Sequence, residues 1–115
     1  MKFCFFVLSS VLVLLSLPAQ TQEVAVVQLY TQDELLDLIK QNIHLQRVQK
    51  DECQLVNDIQ ARADVMKVPA YQFLYGDMLA FGVCVKKDVE RGWDLMQQAA
   101  AQGLPEALEQ VGALS

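Results

Sequence analysis

Chemistry-bearing residues are scarce in this sequence. It has one histidine, His44, and three cysteines, and no cysteine has a CxxC neighbour, which excludes the usual zinc sites. No HExxH, glycine-rich phosphate loop or nucleophile elbow occurs. An SxxK motif is missing too, so β-lactam hydrolysis has no nucleophile to rest on. Cationic side chains number 9 against 14 carboxylates, for a formal net charge of −5, and they never gather into a cluster. A scattered acidic surface of this kind excludes nucleic acid and anionic lipid as partners. Nothing in the pattern calls for a cofactor, a metal or a small-molecule substrate. The expectation is a protein that binds other proteins and is not an enzyme.

Long apolar runs are also missing, with one exception at the start. Lys2 is followed by an uncharged run from Phe3 to Leu17, then Pro18, Ala19 and polar residues. That order matches a secretory signal, and about 15 residues fall short of the ~20 needed to span a membrane. The expected signal is 1–19, with an uncleaved N-terminal anchor as the alternative. Roughly 96 residues would remain, enough for one small domain, with 8 basic and 14 acidic side chains. They keep two cysteines, Cys53 and Cys84. An even count in an exported chain reads as a disulfide, with two buried thiols as the alternative. The closed loop would span 31 residues, for which chain entropy suggests ~3–4 kcal/mol.

Periodicity in the remainder is helical. Residues 20–30 have valines without a stripe and read as an extended arm. Thr31 and Glu34 have capping-box spacing, and Leu35, Leu38 and Ile39 follow at helical intervals, so the first helix is expected over 32–42. IHLQRV, 43–48, alternates apolar and polar residues and reads as an extended link. A second helix is expected over 51–67, with Cys53, Val56, Ile59, Ala63 and Met66 on one stripe and Pro69 beyond its end. Pro69 opens a third helix that Gly82 closes, with Tyr71, Leu74, Tyr75, Met78 and Leu79 at its core. Asp88 caps a fourth, whose apolar face is Trp93, Leu95, Met96, Ala99 and Ala100 and whose exit is Gly103. Pro105 begins a fifth, carrying Ala107, Leu108, Val111 and Leu114.

A shift of 36 residues superposes Pro105 on Pro69, Ala107 on Tyr71, Val111 on Tyr75 and Gly112 on Gly76. On these residues the stretch from Tyr71 to Leu108 resembles a Sel1-like repeat, a relative of the tetratricopeptide repeat. Its signature positions here are Gly76, Gly82, Val85, Asp88, Ala99, Ala100 and Gly103, with Ala107 and Gly112 opening the next repeat. Cys84 stands where glycine is usual, Gly92 where alanine is usual, and Tyr71 where the first alanine is expected. The resemblance implies an all-α stack of helical hairpins, with small residues as packing determinants. The expected units are a helical cap over 31–68, one repeat over 69–104 and the start of an incomplete second repeat over 105–115. Cys53–Cys84 would staple cap to repeat.

The runs CQLV, PAYQFLYGDMLAFGVCV and AAAQGLPEALEQ are more specific. Together they resemble the sodium-type polar flagellar motor proteins of Gram-negative bacteria. That likeness implies a periplasmic component of the flagellar basal body. It would act with MotY to form a ring on which the sodium-driven stator proteins PomA and PomB assemble. It also implies a longer protein, of which this chain would be a fragment or truncation. A periplasmic Sel1-repeat adaptor of another envelope or secretion system is the alternative. Among single residues, His44 is expected at the surface or half-buried, Asp77 in solvent, and Met66, Met78 and Met96 in packing. Tyr71, Phe73, Tyr75, Phe81 and Trp93 are expected to be mostly core, with one or two serving as interface anchors.

Overall fold

The protein is described by a computed structural model over residues 27–114. Six α-helices follow one another there without a strand. They are α1 (Gln32–Lys40), α2 (His44–Lys50), α3 (Val56–Gln60), α4 (Pro69–Phe81), α5 (Val89–Ala101) and α6 (Pro105–Leu114). A π-helical turn, Ala61–Val65, continues α3. The all-α expectation holds. The signal sequence 1–19 and most of the 20–30 arm lie outside the described residues, as do the Leu114 side chain and Ser115. Within the described residues no helix is long and apolar enough to cross a membrane.

The first helix forms for the reason its sequence suggests. Glu34 N–H donates to Thr31 Oγ1 at 3.2 Å, while Thr31 N–H donates to Glu34 Oε1 at 3.0 Å. Two otherwise orphaned donors are thereby satisfied. Leu35 and Ile39, four apart, bury one face. Asn42 ends the element in the left-handed region (φ 59°), which lets Ile43 N–H reach back to Leu38 O at 2.9 Å.

Two expectations about the next segment fail. Residues 43–48 are not an extended link, because α2 begins at His44. Its buried face is His44 and Val48, at i and i+4. The inner position of that face is a histidine, so counting apolar residues showed alternation instead of a helix.

Nor is 51–67 one helix. Residues 51–55 are turns, and Glu52 and Cys53 both sit at left-handed φ (58° and 59°). Cys53 N–H returns to Val48 O at 3.2 Å, closing α2 instead of opening a new helix. Cys53 is therefore off the Ile59–Ala63 stripe, and Met66, 58% exposed, is outside the core. The departure is what carries Cys53 to Cys84: the two are joined by a disulfide with Cα atoms 5.5 Å apart.

Helix α4 is the centre of the molecule. Every residue from Ala70 to Leu79 is buried, so it is enclosed on all sides. Helices α1, α2 and α3 with its π turn pack on it from one side and α5 from another, while α6 packs on α5. Pro69 opens α4 and Gly82 (φ 69°) caps it, as expected. Asp88 Oδ1 accepts from Arg91 N–H at 3.1 Å at the start of α5. Gly103 (φ 92°) then turns the chain into α6, which Pro105 opens 36 residues after Pro69 opened α4.

Candidate binding groove

The small residues singled out in the sequence do mechanical work. Helices α4 and α5 touch backbone to backbone. A Cβ on Gly76 would meet Gly92 O at 2.9 Å, and one on Gly92 would meet Gly76 O at 2.5 Å. Gly92 thus belongs to the same contact as Gly76, which its mismatch to the Sel1 pattern concealed. Ala99 and Ala107 are fully buried where α5 and α6 turn inward, Ala100 and Val85 pack at the edge of the core, and Gly112 faces outward.

A ladder of glutamines also escaped the sequence reading. Gln72, fully buried on α4, donates to Gln98 Oε1 at 3.0 Å and accepts from Gln102 Nε2 at 2.8 Å. Gln102 also donates to Lys67 O at 2.9 Å. A buried amide is tolerated when both ends are bonded. The cue was QQAAAQ at the end of α5, which places Gln98 and the capping Gln102 one turn apart on one face.

The largest correction concerns His44 and Asp77. His44 was expected at the surface or half-buried and Asp77 in solvent; both are buried (3% and 5% exposed), with His44 Nε2 2.7 Å from Asp77 Oδ2. Asp77 Oδ1 accepts from Gln110 Nε2 at 3.2 Å. One carboxylate therefore ties α2, α4 and α6 together. Phe73 stands one turn before Asp77 and meets the His44 ring edge to face, centroids 5.5 Å apart. His44 and Asp77 lie 33 residues apart, so no local spacing could reveal the pair.

Beside this clamp lies a groove of about 450 Å³. Its floor is His44 and Phe73. Lys40 and Asn42, at the corner between α1 and α2, form one wall, and Glu106, Glu109 and Gln110 of α6 form the other. A smaller apolar notch of about 120 Å³ lies at the α4–α5 crossing, beside Phe81, Val89 and Trp93. Phe81 and Val89 are more than half exposed there, whereas Tyr71, Phe73 and Tyr75 are core and Trp93 is partly buried. Among the described residues no three histidine, cysteine or carboxylate side chains converge as a metal site.

Tyrosines tie the residue before the α1 cap to α4 and to the end of α2. Tyr71 Oη donates to Tyr30 O at 2.5 Å, and Tyr30 Oη donates to Asp51 Oδ2 at 2.6 Å beneath the Arg47 guanidinium. Burial, the bond to Asp51 and the charge of that carboxylate hold the Tyr30 phenol well above the usual tyrosine range. Burial raises Tyr71 as well. The backbone and hydroxyl of Thr31 lower the Glu34 carboxyl through the capping box.

Such a molecule is an all-α protein, with six helices among its described residues. Over 88 residues it is 64% identical to the "Sodium-type polar flagellar protein MotX" of Vibrio parahaemolyticus serotype O3:K6 (strain RIMD 2210633). The match covers 76% of this chain and 42% of MotX, so the resemblance to polar flagellar proteins holds across most of the sequence. No family model matches the chain, and no solved structure does.

Proposed function

We propose that the chain is a component of a sodium-driven polar flagellar motor and acts by binding other proteins. The 64% identity to MotX carries this reading. It is supported by a surface that offers grooves and exposed apolar side chains. The protein works in the periplasm, consistent with its signal-like start and its disulfide. Its partners are MotY and the stator proteins PomA and PomB, which assemble against a ring at the basal body. Residues 31–68 serve as a cap that covers α4, and 69–104 serve as a Sel1-like hairpin on which α6 begins the next unit.

Deletion of the gene in its own host tests the proposal. The expected phenotype is assembled flagella that do not turn in sodium medium. Normal swimming would overturn it. Co-purification of the tagged chain with MotY separates this role from that of a general envelope adaptor.

A further inference from the structure

We propose that the face of α4 marked by Tyr71, Tyr75 and Leu79 docks an acidic segment of a protein partner, its carboxylates held by Arg62, Arg91, Lys86 and Lys87. The inference rests on the reading of the chain as a protein-binding component and names the chemistry of one contact.

It starts from the arginines. Three guanidiniums lie over tyrosine rings: Arg47 over Tyr30, Arg62 over Tyr71 and Arg91 over Tyr75, at 5.1, 5.7 and 5.4 Å from the ring centroids. Arg47 also has a carboxylate, Asp51, and Arg91 has Asp64. Arg62 has none. Its Nε is enclosed without a hydrogen-bond partner, and no ion pair among the described residues includes it. Glu34, the carboxylate that acts on the same Tyr71 phenol, accepts from Thr31 N–H instead. A guanidinium presents its donors as a rigid fork matched to a carboxylate, and no described carboxylate fills the fork of Arg62. Stacking on the buried Tyr71 and Tyr75 holds Arg62 and Arg91 in place, so little side-chain freedom is lost on binding.

The cations continue along one line. Tyr71 and Tyr75 are a turn apart on α4, about 6 Å along its axis, and Leu79 is a turn further. Tyr75, Leu79 and Val85 give a pocket of about 320 Å³ its apolar lining, and Lys86, Lys87, Asp88 and Arg91 its polar one. Lys86 and Lys87 are exposed and belong to no ion pair among the described residues. The two carboxylates on this line are already engaged: Asp64 accepts from Arg91 and Gln60, and Asp88 Oδ1 accepts from Arg91 N–H at the start of α5. Four of the nine lysines and arginines thus share one face of a chain whose formal net charge is −5. A positive strip on an acidic protein selects a partner of the opposite sign. The apolar lining suits a side chain lying between two carboxylates, which inorganic phosphate lacks, and a concave pocket suits a peptide better than the plane of a membrane.

The test uses the full chain with Cys53–Cys84 intact. A short glycine–serine peptide with two glutamates flanking one leucine is titrated in, followed by its glutamine and lysine counterparts. Inorganic phosphate and vesicles of phosphatidylglycerol in phosphatidylcholine are then tried in its place. NMR reads the side-chain Nε–H signals of Arg62 and Arg91 together with the amides of Val85, Lys86 and Lys87. The glutamate peptide should give saturable shifts confined to these signals, and its affinity should fall about tenfold as salt screens the charges. The glutamine peptide, which keeps the shape without the charge, should bind about tenfold more weakly, and the lysine peptide not at all. Lys86→Gln/Lys87→Gln should weaken binding about fivefold while the α4–α5 core signals stay in place. Arg62→Lys, which keeps the charge and loses the fork, should weaken it about threefold. Equal binding of the glutamine peptide, or affinity unchanged in both variants, would overturn the inference. Phosphate or vesicles moving the same signals at the peptide's own concentrations would overturn it too. The titration needs no motor, so its failure leaves the motor proposal standing. Saturable binding by a chain whose deletion leaves swimming normal would count against the motor proposal alone.

Discussion

The α4–α5 hairpin and the 31–68 segment are both helical, but they are held together by opposite means. Each hairpin helix has 13 residues, bounded by proline, glycine or a capping aspartate, and the two meet through backbone contact at Gly76 and Gly92. The 31–68 segment is built of helices of 9, 7 and 5 residues, too short to persist alone. Of the five non-glycine residues with left-handed φ among the described residues, Asn42, Glu52, Cys53 and Lys67 lie in it. Each such residue costs about 1–2 kcal/mol locally. The segment keeps its shape through long-range ties: the disulfide, the His44–Asp77 pair and the Tyr71–Tyr30 bond. Local sequence thus organises the hairpin, while distant partners organise residues 31–68.

Cutting the covalent tie should show this most strongly. Cys53→Ser with Cys84→Ser is expected to cost about 3–4 kcal/mol in chemical denaturation. Hydrogen exchange should accelerate in α2 and α3 well before α4–α5. Equal loosening of both regions would erase the distinction. Gly92→Ala attacks the other region and should cost about 1–3 kcal/mol, because its methyl meets Gly76 O at 2.5 Å. Gly112→Ala is the control: the added methyl meets nothing within 4 Å, and helix propensity favours alanine by up to ~1 kcal/mol. Comparative thermal melts of the two variants measure the contrast.

A smaller effect of opposite sign is expected at Glu52. It is exposed at φ 58°, so Glu52→Gly should stabilise the protein by up to ~1 kcal/mol. A loss of stability there would mean the turn is held by its side chain. Smallest is the capping box. The Glu34 carboxyl should titrate below 4.5 by NMR, and Thr31→Ala should return it toward that value. Because the folded pKa is the lower one, the contribution is present above the ordinary carboxyl value and fades as pH falls through the folded midpoint.

The same contrast explains what the sequence made legible. Pro69, Gly82, Asp88 and Gly103 act on their immediate neighbours, and the helices they bound are where they were expected. Cys53 was placed on a helical stripe because its spacing to Ile59 fits one. Its actual conformation answers to Cys84, 31 residues away. Asp77 passed for a solvated side chain since nothing near it in sequence is cationic; its partners sit on α2 and α6. The groove was invisible for the same reason, since its walls come from three separate stretches of chain.

The disulfide also has a mechanical meaning. Cys53 and Cys84 bracket α3 and α4, so tension applied to the two ends of the chain passes through sulfur and bypasses the residues between. With 31 positions short-circuited, the extensible length falls by about 100 Å. The helix that carries more of the core than any other is the part of the molecule that a steady pull does not load.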